Sequence, residues 1–316
     1  MSSSGASVVP EKLSRSGLLY AFGAYGLWGL FPLYFLTLEP ATPFEVVGYR
    51  FLFSLIFCTF LIAVTKNWKK LLVIMKNRKT MLTLGVASVL IYINWQVFIV
   101  AVLSNQILES SLGYFINPIL TVVLGVLVLR EKLRRMQWVA VGISFVAVIV
   151  LTFSYGTIPW ISLTLAASFG LYGLLKKRTG GAVDAISGLT IETMWMAPVA
   201  IIQLIIVSNT VGLTFFGFGL THTLLLASAG VVTAVPLIMF GAGARRLPLT
   251  AIGLIQYSTP VFSFLMAVFV LKEPMPLDRW IGFFIIWLAL IVLTTDMLRN
   301  GKANRLARAA ESLTKE

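Results

Sequence analysis

Ten long apolar runs constrain this chain more than any other feature of its sequence. They lie at roughly 18–36, 45–65, 81–103, 112–129, 136–154, 158–175, 184–207, 222–244, 250–271 and 279–298. A helix needs about 20 mostly apolar residues to cross a bilayer core, and each run is close to that length. A membrane β-strand would be shorter and would alternate apolar with polar residues. Leu120 to Leu129 and Ile281 to Leu293 are near-continuous instead. A helix also satisfies its own backbone hydrogen bonds, which lipid requires. The expected fold class is an all-α polytopic membrane protein with ten transmembrane helices. Composition excludes a soluble domain: 58% of the 316 residues are hydrophobic and 12% are charged, where soluble domains have about 25% charged.

The charge pattern orients the runs. The formal net charge is +13, from 25 Lys and Arg against 12 Asp and Glu. With the N-terminus in the cytoplasm, the inside segments collect Lys12 and Arg15, then Lys66, Lys69, Lys70, Lys76, Arg78 and Lys79. They also collect Arg130, Lys132, Arg134, Arg135, Lys176, Lys177, Arg178, Arg245 and Arg246, and the five basic residues from Arg299 on. That is 22 of the 25, while the outside loops keep only Lys272 and Arg279. Cytoplasmic loops carry such an excess. Both termini are therefore expected in the cytoplasm of a multi-pass protein of the cytoplasmic membrane. No nucleic-acid partner is needed to explain the charge. The single cysteine, Cys58, and the single histidine, His222, offer no Cys or His cluster for a metal, so no metal and no cofactor are expected.

The sequence also repeats. With Leu112 laid on Leu254, the segment LGYFINPILTVVLGVLVLREK aligns with LIQYSTPVFSFLMAVFVLKEP. Pro118 then falls on Pro260, Glu131 on Glu273 and Trp138 on Trp280. At nearly the same offset, Tyr25 to Leu30 (YGLWGL) falls on Phe169 to Leu174 (FGLYGL). Five helices per half is an odd number, so the second half must enter the bilayer from the opposite side. The basic residues that follow Glu131 are mostly absent after Glu273, as that inversion requires. The chain divides into a cytoplasmic tail at 1–17 and a first five-helix repeat at 18–154. An inverted repeat at 155–298 and a basic cytoplasmic tail at 299–316 follow. The first tail reads as disordered; the second reads as disordered or as a short surface helix. Two inverted five-helix repeats around a central cavity are the architecture of a secondary transporter working by alternating access.

Four segments carry a family resemblance: Tyr25–Tyr34, Ile93–Val102, Leu108–Trp138 and Ala244–Pro260. They resemble RarD-type permeases of the EamA part of the drug/metabolite transporter superfamily, over about Leu18 to Leu298. The resemblance implies ten helices, two inverted repeats, a central cavity and a lean towards export. The family is linked by name to chloramphenicol sensitivity. One departure is Tyr49 before Arg50, where the family pattern has histidine.

Polar groups at bilayer depth face a cavity or a neighbouring helix, and they supply the site candidates. Arg50 and Glu192 are related by the offset that takes Leu112 to Leu254, so they hold equivalent places in the two halves. They can pair with each other, bind substrate charge, couple transport to a proton or counter-substrate, or serve as separate anchors. Glu45, near the outer mouth, reads as solvated. Asn94 and Trp95 lie mid-depth in the third run, Tyr114 and Asn117 in the fourth, and Gln256 and Tyr257 in the ninth. Trp28 and its counterpart Tyr172 are too deep for an interfacial belt and can stack on a flat substrate. Pro118 and Pro260 read as matched hinges beside the amides. For the amides the plainer reading is interhelical hydrogen bonding. Gly23, Gly26 and Gly29 form a stripe of small residues suited to close helix packing.

The expected function is a secondary transporter of a small organic metabolite or drug, with export as the expected direction. No G-x-x-x-x-G-K-[ST] motif is present to drive a primary pump. A membrane-embedded enzyme, or a receptor or scaffold without transport, is the alternative. An enzyme would want catalytic acids or histidines in its loops, and these loops are nearly bare, so the chain does not read as one. The expected partners are a small-molecule substrate and membrane lipid.

Overall fold

A computed structural model describes residues 14–129, 135–179, 183–244, 246 and 255–313. Among these residues the regular structure is helical, with no strand. The first half of the chain holds α1 (Arg15–Gly29), α2 (Phe31–Leu36), α3 (Pro43–Val64), α4 (Trp68–Lys76), α5 (Arg78–Leu103), α6 (Ile107–Leu129) and α7 (Arg135–Tyr155). The second half holds α8 (Trp160–Thr179), α9 (Ala185–Thr210), α10 (Gly219–Ala244), α11 (Ser258–Leu265), a π-helical turn at Met266–Val270 and α12 (Leu277–Leu313). Every apolar run falls on a helix, except that 250–254 lie outside the described residues. Among the described residues, seven stretches are long and apolar enough to cross a membrane: Arg15–Leu36, Pro43–Val64, Arg78–Leu103, Arg135–Ser154, Ala185–Thr210, Gly219–Phe240 and Leu277–Asp296. Trp160–Lys176 and Ser258–Val270 are apolar but shorter.

Local chemistry sets the helix ends. Thr42 accepts a hydrogen bond from the Glu45 N–H at 3.2 Å, and Pro43 fills the first helical position, where its missing N–H costs nothing. Asn77 and Asp184 cap α5 and α9 in the same way, at 3.1 Å to Thr80 and 3.0 Å to Ser187. At the C-terminal ends of α3 and α5, Lys66 and Asn105 each take φ 53°. The following N–H groups reach back to the Ile62 and Ala101 carbonyls at 3.1 and 2.8 Å, which ends each helix in a left-handed turn. Helix α4 is amphipathic: Leu71 and Ile74 are buried, and Lys69, Lys70 and Lys76 are exposed. The basic segment from Arg299 is not a structureless tail, because α12 continues as helix through Leu313. Its Ala, Leu, Arg and Lys content favours that state.

The helices pack in a definite set of pairs. Helix α3 lies along α9 and α10, α5 along α8 and α9, and α1 along α10 and α11. Helix α6 lies along α8 and α11, and α7 along α12. Among the described glycines, Gly230 stands closest to another helix's backbone, where α10 crosses α3. A Cβ on Gly230 would collide with the Phe53 carbonyl and stand 2.7 Å from the Ser54 nitrogen. Only glycine allows two backbones so close.

Candidate functional site

Two ionisable side chains are buried deep within this bundle. Arg50 is the eighth residue of α3 and Glu192 the eighth of α9, which puts each about 10 Å along its helix. Arg50 is 3% exposed and Glu192 is 1% exposed. They are not partners of each other. Glu192 accepts from Lys176 Nζ at 2.7 Å and from the Tyr172 hydroxyl at 3.1 Å, both on α8. Arg50 Nε donates to Thr233 Oγ1 on α10 at 2.9 Å. Its guanidinium carbon lies 3.8 Å from the Trp95 ring centroid, 5.2 Å from Phe35 and 5.6 Å from Phe31. The pairing read from the sequence as one option therefore does not form.

A run of aromatic rings joins the two charges. Phe35 meets Phe98 with centroids 6.1 Å apart, Phe98 meets Tyr114 at 6.0 Å, and Tyr114 meets Phe169 at 6.3 Å. Phe169 meets Tyr172 at 6.0 Å, and Tyr172 bonds Glu192. The run crosses α2, α5, α6 and α8. Of the residues proposed from sequence, Trp95, Tyr114, Tyr172, Arg50 and Glu192 are thus brought into one chain of contacts. Edge-to-face geometry, as at Phe98–Tyr114, suits rings whose faces are electron-rich and whose edges are positive.

The other candidates sit apart from that run. Asn94 is buried beside it but spends its amide on α8, donating to the Leu165 carbonyl at 3.1 Å and Ser168 Oγ at 3.0 Å. Trp28 packs with Tyr25 and Phe240 at 5.2 and 5.9 Å. Asn117 Oδ1 lies against Gly170, 3.4 Å from where a Cβ would stand. Gln256 and Tyr257 are both half-buried. Helix α6 continues without a break past residue 118. Pro260 is the third residue of α11, where a missing N–H leaves no helical bond unmade. Its carbonyl accepts from Ser111 Oγ of α6 at 2.8 Å.

Sequence reasoning missed several partners. Lys176 was assigned to a loop, though its spacing of four from Tyr172 puts both on one face of α8. The Phe31 and Phe35 rings and the Thr233 hydroxyl carry no sequence signal of their own. Glu45 is not solvated. It is 0% exposed and its Oε1 accepts from the Thr214 and Phe215 N–H groups at 2.7 and 3.0 Å. Two more acids tie down helix starts. Glu109 accepts from the Ile161 N–H at 3.0 Å, and Glu273 from the Leu108 N–H at 3.1 Å.

Glu273 lies in the loop between the π turn and α12. Burial pushes its carboxyl up to about 7, against the opposing pull of the Leu108 and Ile107 N–H groups and of Arg279. A carboxyl held above its usual value holds extra protons in the folded state between about pH 4.5 and 7. Stability should therefore fall as pH rises through that window. Glu273→Gln keeps an acceptor for Leu108 and removes the charge. Its melting temperature should match the parent at pH 5 and exceed it by about 2–4 °C at pH 8. A gap independent of pH would refute this account.

The comparisons with known proteins agree with this architecture. The model of the EamA-like transporter family matches residues 15–153. Protein RarD of Streptomyces exfoliatus is 42% identical over 96% of this chain and 96% of its own. The chain belongs to the RarD-type EamA permeases. A second relative of these permeases, the uncharacterized transporter YojE of Bacillus subtilis, is 41% identical over 92% of this chain and 98% of its own. A solved crystal structure shares the fold with a TM-score of 0.60 at 17% identity, covering 90% of this chain and 100% of that one. This member of the EamA permeases is accordingly a multi-pass membrane protein of permease type.

Proposed function

We propose that this permease is a secondary transporter that exports a small organic metabolite or drug by alternating access. Its ten membrane helices form two inverted five-helix repeats, with both termini in the cytoplasm. The packing pairs carry the reading. Exchanging α1, α3, α5, α6 and α7 for α8, α9, α10, α11 and α12 maps the pairs α3–α9, α6–α11 and α7–α12 onto themselves. It turns α6–α8 into α1–α11, α3–α10 into α5–α9 and α5–α8 into α1–α10. Helix starts support it too: the offset that takes Leu112 to Leu254 also takes Pro43 to Ala185 and Arg135 to Leu277. Two such halves can trade conformations and expose one midplane site to each side in turn.

On this reading the substrate passes along the ring run between Arg50 and Glu192, and Asn117 and Gln256, which stand outside the run, hold it at the flanking helices. Glu45, Glu109 and Glu273 all stand at the outer face, where their backbone hydrogen bonds close the mouth. Flux in proteoliposomes against a panel of metabolites and drugs, chloramphenicol included, tests the transporter reading. Saturable flux is expected, and its absence across the panel would favour an enzyme or receptor. Asn117→Ala and Gln256→Ala are each expected to slow flux at least several-fold; unchanged rates for both would move the pocket elsewhere. Single cysteines introduced at 106, 157 and 274 should react from outside and one at 302 from inside. The reverse pattern would overturn the topology.

A further inference from the structure

Arg50 is a buried cation to which the described residues offer no anion. None of their carboxylates lies within 4.0 Å of it, and its Nη1 is buried without a hydrogen-bond partner. Thr233 engages Nε alone. The three rings around the guanidinium stabilise its charge, but cation–π contacts are individually weak. Holding a charge out of water is costly and is normally offset by an opposite charge with good geometry. A second buried donor, the Ser54 hydroxyl, stands one helical turn on from Arg50 and is also without a partner. Residues four apart share a helix face, so two unmet donors mark the same side of α3.

We propose that Arg50 receives a carboxylate of the transported molecule, and that the neighbouring rings seat its flat apolar body. The substrate class is then small aromatic or amphipathic organic anions. The proposal rests on the transporter reading for its cargo, though not for the binding itself. A guanidinium presents parallel N–H donors that match a carboxylate's two oxygens, which an ammonium cannot. Trp95 at 3.8 Å fixes the plane of the guanidinium; Phe35 and Phe98 are buried against each other, so the ligand body has to part them to lie along the run.

The test uses the purified full-length chain in detergent and in proteoliposomes. The probes are benzoate and indole-3-carboxylate, each beside its carboxamide. The carboxylates should raise the melting temperature in a saturable way, and the carboxamides should not. Arg50→Lys should weaken carboxylate binding at least tenfold, and Arg50→Gln should abolish it. If Arg50→Gln does not fold, Arg50→Lys carries the comparison. Equal shifts with acid and amide, no shift with either acid, or unchanged affinity in a folded Arg50→Lys would each overturn the proposal. Arg50-dependent binding without flux would uphold the anion site and overturn the transporter reading. Flux of neutral compounds that neither acid inhibits would do the opposite.

Discussion

Replacing Lys176 with methionine should lower the stability of the folded chain by about 3 kcal/mol, because it strands a buried charge. Glu192 is 1% exposed and has two partners, Lys176 Nζ at 2.7 Å and the Tyr172 hydroxyl at 3.1 Å. Removing the ammonium leaves one neutral donor to hold a carboxylate inside the bundle. The loss should be repaired by removing the charge as well: the double variant Lys176→Met, Glu192→Gln should recover most of the parent's melting temperature. A packing role for the lysine stem would give a different pattern, with the two substitutions adding. Single and double variants compared by thermal denaturation in one detergent separate the two. Additive losses would show that the ion pair contributes little.

Gly230→Val should be harsher still, and of another kind. A side chain at 230 would meet the backbone of Phe53 and Ser54, which cannot turn aside as a flexible side chain can. Overpacking typically costs about 1–3 kcal/mol and occasionally more; a backbone obstacle belongs at the upper end. The expected result is little or no monodisperse protein. Gly26→Ala is the control. A Cβ at 26 meets nothing within 4 Å, and alanine is the better helix former by about 1 kcal/mol. That variant should be as stable as the parent or more so. Normal yield of Gly230→Val would mean that the α3–α10 crossing is looser than described.

These two expectations also show what the sequence could and could not reveal. Hydropathy located the helices because lipid leaves a chain few other options, and a run such as 45–65 needs no tertiary information to be read. The repeat offset likewise placed Arg50 and Glu192 at matching depths. Their partners were not legible, since Thr233 and Phe35 meet Arg50 only once three separate helices have packed. Glu45 was misread for the same reason: its burial depends on the 211–218 segment folding back to present two N–H groups. The glycine stripe at 23, 26 and 29 stands out by its regularity, yet among the described glycines the one set hardest against another helix's backbone is Gly230. The π turn at Met266–Val270 leaves no mark in composition, because an extra residue per turn arises from packing.

The crossing at Gly230 has a mechanical meaning. Helix α3 comes from the first half of the chain and α10 from the second. They touch backbone to backbone there and are bonded again where Arg50 meets Thr233. Two rods in such contact cannot slip lengthwise past each other without parting. Any motion of one must carry the other, so no boundary between moving bodies can run between α3 and α10. The packing of helices, not their order along the chain, decides which of them travel as one.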